Sequence, residues 1–371
     1  MKIAILSMQR IKNNGSFLQA YGLYEIVKRF GHDVEFIDFN NELEAKKISP
    51  KEGGYAKRIL RHVKHSILPR YRKINRAKKN NGIFRDSITQ YQTLLGLDNT
   101  LILPGSKHYD LLIIGSDEVF NICQFSDGKA NIPWSLLGEK INANAIISYA
   151  ASCGQTTVKE LELIREKEHA ARLLGQFSAL SVRDANTYEL VKELTGNSPA
   201  VHVDPVLLFE NFPTDESFVV PDFKYLMVYA YTLRMENKAE MMEVKKFARS
   251  NNLKILCVNC FQSWCDVQVI ASPFAVLQYV KHAAYMVTDT FHGTVFSIRC
   301  NVPFCTFIRN GNKSKLLYLL HQFGLEDRIV NGLDIGTVMK RRIDFDKING
   351  KLRVERDQAM AYLQKWLCVN P

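Results

Sequence analysis

Short, almost wholly apolar stretches of strand length recur along this chain, each followed by a segment of helical periodicity, and this alternation is the strongest constraint on its fold. They include KIAILS (residues 2–7), YDLLIIGSD (109–117), NAIISYAASCG (144–154), KYLMVYAYT (224–232) and YMVTDT (285–290). Strands that are apolar on both faces belong in a parallel sheet covered by helices on each side. The first unit shows the pattern. KIAILS is followed by a polar turn, QRIKNNGS, and then by a helical repeat through Phe17, Leu18, Tyr21, Leu23, Ile26 and Val27. Gly31 ends it, and HDVEFIDF reads as the next strand. Such βαβ units bind ligands at the C-terminal ends of their strands.

The alternation runs to about residue 209, meets a loop rich in Pro, Asp and Glu at 210–222, and restarts at 224. At 371 residues the chain exceeds one ordinary domain. The expectation is an α/β protein of two doubly wound Rossmann-like domains facing a cleft, residues 1–212 and 213–350. An amphipathic C-terminal helix follows in 351–371. The first domain carries a basic helical insertion at 51–97, in which Pro69 should interrupt one helical pattern before a second runs from about 83 to 97.

Composition narrows the class. Hydrophobic residues at 46% and charged residues at 23% exclude a mostly disordered chain. No apolar run approaches the ~18 residues needed to cross a bilayer, and the start is too short for a signal peptide, so the chain reads as cytoplasmic. Eight irregularly spaced cysteines fit a reducing compartment. Cys257-x-x-Cys260 with Cys265 looks like half a zinc site, but the other half is not evident, and strand-packed thiols with no metal are expected.

The net charge of +11 is concentrated. Residues 51–79 hold eleven Lys and Arg against one acid, Glu52, a local balance of +10 that leaves the rest of the chain nearly neutral. Tyr55, Ile59, Val63 and Ile67 recur every four residues within it. A cationic helix with an apolar stripe suits an anionic membrane surface or a lipid carrier, and would place the protein peripherally on the inner face of the membrane; a solvated helix is the plainer alternative. Thin aromatic interleaving, Tyr55 and Tyr71 alone, argues against nucleic acid.

Five turns carry candidate chemistry. In Thr288-Asp289-Thr290-Phe291-His292-Gly293-Thr294 a strand gives way to a helix. Amide groups at 293–295 would favour an anion, with His292 donating to it or moving a proton; an ordinary helix cap is the alternative. Gly115-Ser116-Asp117-Glu118 puts Asp117 at a strand end, as a base toward a sugar hydroxyl or as a helix cap. Asn13-Asn14-Gly15-Ser16 is a first-strand turn without the GxGxxG fingerprint. In Ser181-Val182-Arg183-Asp184, Arg183 would either clamp an anion or pair with a carboxylate. Residues 309–315, RNGNKSK, form a cationic turn, either an anion nest or a solvated loop. Walker, HExxH and GxSxG motifs are absent.

Taken together and in this order, NNGSFLQAYGL, YDLLIIGSDEVFN, ISYAASCG, SVRD, VDPVLLF and TDTFHGTVFS resemble the polysaccharide pyruvyl transferase family. The resemblance implies a two-domain fold like that of GT-B glycosyltransferases. It also implies transfer of pyruvate from phosphoenolpyruvate to two hydroxyls of a sugar, free or lipid-linked, as a cyclic ketal in cell-surface glycan synthesis. His292 and Asp117 are then the catalytic candidates. Arg183 and Gly293 carry over as substrate-binding candidates, joined from the turns themselves by Thr294, Asn14, Gly15, Ser116 and Lys313. No cofactor or metal is implied. Glu118 and Phe120 stand where the family usually has Gln and Trp, and Thr290 where some members have Arg, so a cation must come from Arg183 or from 309–315, or the donor differs. A nucleotide-sugar glycosyltransferase and a non-catalytic membrane scaffold are the competing functions.

Overall fold

The computed structural model describes residues 1–39, 67–98, 101–125, 133–332 and 334–368. The chain folds into two α/β lobes. In the first, β1 (Lys2–Leu6), β2 (Asp33–Phe36), β3 (His108–Ile114) and β4 (Asn142–Ser148) form a parallel sheet in the order β2-β1-β3-β4. A short pair, β5 (Ser181–Val182) and β6 (Ala200–Val201), joins beside β4 through single bridges at Ile147–Ala179 and Ala151–Val182. In the second lobe β7 (Tyr225–Tyr229), β8 (Lys254–Val258), β9 (Val267–Val269), β10 (Tyr285–Thr288) and β11 (Phe304–Thr306) form a parallel sheet in the order β11-β10-β7-β8-β9. The architecture is the pair of doubly wound Rossmann-like units expected.

The apolar runs explain the sheets. Ile3, Ile5, Leu112, Ile113 and Ile114 are fully inaccessible, and so are Leu226, Met227 and Val228. Each such side chain contributes roughly 1.5–3 kcal/mol on burial. Helix Asn14–Lys28 of the first lobe packs against helix Pro273–Lys281 of the second. There Phe274 meets the edges of Phe17 (5.7 Å) and Tyr21 (5.0 Å), so the lobes share apolar contact beneath the cleft.

Two elements differ from the sequence expectation. One helix runs unbroken from Ile67 to Gln92, with Pro69 inside its first turn, where a missing N–H costs nothing. It buries Ala77, Phe84 and Ile88 and sets Arg76 over the Phe261 ring of the second lobe. The last helix starts at Phe345 rather than 351, because the Asp344 carboxylate caps it by accepting from the Lys347 N–H, and it continues through Gly350 to Leu367. It crosses back to the first lobe, where Tyr362 donates to the Ser148 carbonyl and the Leu367 carbonyl meets His32. Residues 40–66, with Tyr55, Ile59 and Val63 of the basic stripe, lie outside the described residues. Among the described residues, no helix is long and apolar enough to cross a membrane.

Candidate active site

Both sheets reverse their strand order at one point, between β1 and β3 in the first lobe and between β7 and β10 in the second. Such reversals leave a crevice beyond the strand ends. The two crevices face each other across a cavity of about 680 Å³. The loop after β1 supplies Lys12, the first turn of the helix that follows it supplies Asn14 and Ser16, and the loop after β3 supplies Asp117 and Glu118. The loop after β7 supplies Tyr231 and Arg234, and the turn after β10 supplies Thr290, Phe291 and His292. Lys315 closes one wall.

A buried charge cluster underlies this cavity. Asp117, at φ 78°, turns its carboxylate to accept from the Ser16 hydroxyl (2.6 Å). Arg183 lies behind it, with Nη2 3.3 Å from Asp117 and Nη1 2.7 Å from Asp204. Asp204 caps the short helix Pro205–Leu208 through one oxygen and holds Arg183 through the other. The His292 Nε2 stands 3.7 Å from Asp204, too far for a hydrogen bond but close enough for charge attraction. Burial pushes the Asp117 carboxyl up, but Arg183, His292 and the Ser16 bond outweigh it and hold Asp117 down to about 2. Asp204 is likewise lowered against its burial, by His292 and Arg183. Burial works against the Arg183 charge, and Asp204 and Asp117 raise its affinity for the proton.

His292 owes its position to a missing side chain. A Cβ at Gly15 would lie 2.2 Å from the His292 Nδ1. Gly15, in the first turn of a first-lobe helix, is therefore the seat of the second-lobe imidazole rather than a substrate ligand. Asn14 beside it joins the lobes: its amide donates to the Tyr229 hydroxyl (3.2 Å) and its carbonyl accepts from Asn259 (3.1 Å).

Several expected ligands face elsewhere. Arg183 is buried and engaged by two carboxylates, so its fork is not open to a ligand. Ser116 is inaccessible and donates to the Ala150 carbonyl. The Gly293 N–H goes to Thr290 Oγ1, and the Thr294 N–H and hydroxyl both go to the Thr290 carbonyl. Glycine at 293 answers to packing, because a Cβ there would meet Thr288 Oγ1 at 2.0 Å. The anion-favouring amides are thus capped from within. Lys313 is exposed outside the cavity, and Arg309 is held by both Glu240 oxygens (2.7 Å each) and by Asp289 (3.2 Å). Asp117 caps no α-helix; beside its charge-cluster partners, its carboxylate accepts only from the neighbouring Glu118 N–H among the described residues.

Sequence reasoning singled out neither Arg234 nor Lys12, and it quoted Ser16 and Asp204 within their segments without giving either a role. Asp204 precedes a proline and reads as a plain cap, which it also is. Arg234 follows β7 at a distance, and its Nε meets Asp289 at 3.1 Å. Buried Asp289 stays raised because burial outweighs its two arginines. Among the described residues, no group of three or more His, Cys, Asp or Glu is placed to hold a metal.

The sequence model described as polysaccharide pyruvyl transferase matches residues 13–312, most of the chain and every turn that lines the cavity except part of the loop after β1 and Lys315. The chain belongs to this family. Among curated proteins, none matches. Solved structures of similar fold include MnaA of S. aureus with UDP, at 11% identity and TM-score 0.49, covering 100% of this chain and 98% of that one. The UDP-GlcNAc 2-epimerase of Methanocaldococcus jannaschii matches at 11% identity and TM-score 0.44, over 96% and 93% of the two chains. The glycosyltransferase SnogD of Streptomyces nogalater matches at 12% identity and TM-score 0.43, over 97% and 94%.

Proposed function

We propose that this cavity moves pyruvate from phosphoenolpyruvate onto two hydroxyls of a sugar, closing a cyclic ketal. The observation that carries the reading is the meeting of His292, from one lobe, with the Asp117–Ser16 pair of the other, in a cavity lined by Lys12, Arg234 and Lys315. A trianionic donor calls for several fixed cations, and a proton-coupled addition calls for an imidazole.

His292 gives a proton to the methylene carbon of the donor, which becomes the methyl group, and C2 becomes electrophilic. A sugar hydroxyl attacks C2, and its proton goes to the imidazole. The C2–O bond to phosphate breaks, and phosphate leaves with the proton that the imidazole has just taken. A second hydroxyl of the same sugar adds to C2 and gives its own proton to the imidazole, which closes the ring and restores the starting acid. Asp117, held near 2, is a poor proton store and orients the acceptor hydroxyl as a fixed negative charge. General acid–base help of this kind is worth ~10²–10⁴-fold.

Thermal shift tests the reading cheaply. Phosphoenolpyruvate should raise the melting midpoint and UDP should not, since a ligand at 100 times its Kd stabilises by about 2.7 kcal/mol. A shift with UDP and none with phosphoenolpyruvate contradicts it in favour of a nucleotide-sugar enzyme. A lipid-linked acceptor at the inner membrane face suits the basic segment 51–79. Vesicles with anionic lipid should then co-sediment the protein at low salt and release it at high salt.

A further inference from the structure

Resting on that reading, one question is which side chain takes the anion where Thr290 offers no cation. The Thr290 hydroxyl is itself engaged, by the Gly293 N–H and by Thr288. Arg183 is occupied by Asp204 and Asp117, and Arg309 by Glu240 and Asp289. Lys315 is placed differently. It stands in the first turn of helix Lys313–Phe323, on the cavity wall, with its ammonium 5.7 Å from the centre of the Phe291 ring. The Arg183 guanidinium lies 4.5 Å from the same ring. Phe291 therefore carries one cation engaged in the interior and one that reaches the cavity beside His292.

Lys315 is paired, and its partner is informative. Its ammonium contacts the Glu118 carboxylate, so the ion pair spans the cleft from one lobe to the other. Glu118 has a second anchor on its own side, the Asn121 amide at 2.6 Å. A carboxylate so held can lose Lys315 without losing every partner. Gln155 of the first lobe also bridges to the Asn310 carbonyl of the second, at 2.6 Å, so the lobes stay joined near this point when the ion pair opens.

We propose that Lys315 is an anion ligand of the donor subsite and that Glu118 is its built-in competitor, a carboxylate that the donor's own anionic group must displace. Arrival of the donor transfers the lysine from Glu118 to phosphate or carboxylate, and Glu118 falls back on Asn121. The carboxylate thus sets the threshold for donor affinity. An ammonium suits this exchange, because it is a compact point charge with three donors on a flexible stem.

Calorimetric titration of phosphoenolpyruvate, with inorganic phosphate in parallel, tests the proposal on the full chain. Lys315→Ala and Lys315→Gln should each weaken phosphoenolpyruvate roughly 10- to 150-fold, the worth of a hydrogen bond to a charged group. Glu118→Gln should tighten it several-fold, since the amide still accepts from Asn121 and no longer competes for the lysine. Equal affinity in the wild type and both Lys315 variants, with circular dichroism showing all folded, overturns this inference and leaves the pyruvyl-transfer reading intact. So does a Glu118→Gln variant that binds as weakly as the lysine variants. No binding to wild-type protein overturns the pyruvyl-transfer reading, and this inference with it.

Discussion

Gly15→Ala should abolish most turnover while leaving the fold standing. The added Cβ would lie 2.2 Å from His292 Nδ1, 2.3 Å from its Cγ and 2.7 Å from its Cε1. Carbon contacts settle near 3.5–4.0 Å, so the ring must retreat by more than about 1 Å. Phe291 and Phe296, buried beside the imidazole at ring distances of 5.4 and 6.0 Å, restrict that retreat, which leaves the cavity as the open direction. The ring then leaves Asp204 and its seat over Gly15. Stability moves little. Alanine gains up to ~1 kcal/mol in a helix over glycine, while local overpacking costs ~1–3 kcal/mol. Turnover should fall by ~10²–10⁴, the range for a displaced general acid–base. The assay is phosphate release from phosphoenolpyruvate with a competent acceptor, beside a thermal melt. Gly350→Ala, in the last helix with only the Arg353 side chain nearby, is the control and should keep full turnover with a slightly raised midpoint. Gly15→Ala turning over within tenfold of wild type would refute the seat argument.

Three further outcomes follow from the charge cluster and the imidazole. Asp204→Asn removes one partner of a buried ion pair and should cost about 3–5 kcal/mol in urea unfolding. Asp117 has its folded pKa depressed to about 2, so its contribution is complete above the unfolded carboxylate range and is lost as pH falls from about 4 through 2. It amounts to about 2 kcal/mol, and Asp117→Asn should flatten the urea midpoint across that window relative to wild type. His292→Ala should retain phosphoenolpyruvate binding within about tenfold while losing ~10²–10⁴ in turnover; near-full turnover would remove His292 from the mechanism.

The fold was legible because its strands are buried on both faces and therefore apolar without alternation. YDLLII could be little else between two helical segments, and it is the central β3. The turns were legible as places, since glycine and capping residues mark strand ends. The direction each polar group faces was not. Gly15 and His292 are 277 positions apart, and nothing local to either tells of the other. Arg183 reads equally well as a clamp for substrate or as a partner for buried acids, and only the approach of Asp204, 21 residues on, decides. The Thr290 hydroxyl takes the amide that a phosphate would have used, which a Thr-x-x-Gly spacing allows but does not require. Lys315 and Lys313 look alike in the run KSK, and helical phase alone puts one on the cavity wall and the other outside it.

The central claim is that a pyruvyl group crosses from phosphoenolpyruvate to a diol inside this cleft. Mass spectrometry and proton NMR of galactosides incubated with the protein and phosphoenolpyruvate test it most directly. The account predicts one pyruvate ketal per inorganic phosphate released, visible as a new methyl singlet, and its loss in His292→Ala. Phosphate release without any sugar adduct, or an adduct formed equally well by His292→Ala, would contradict it.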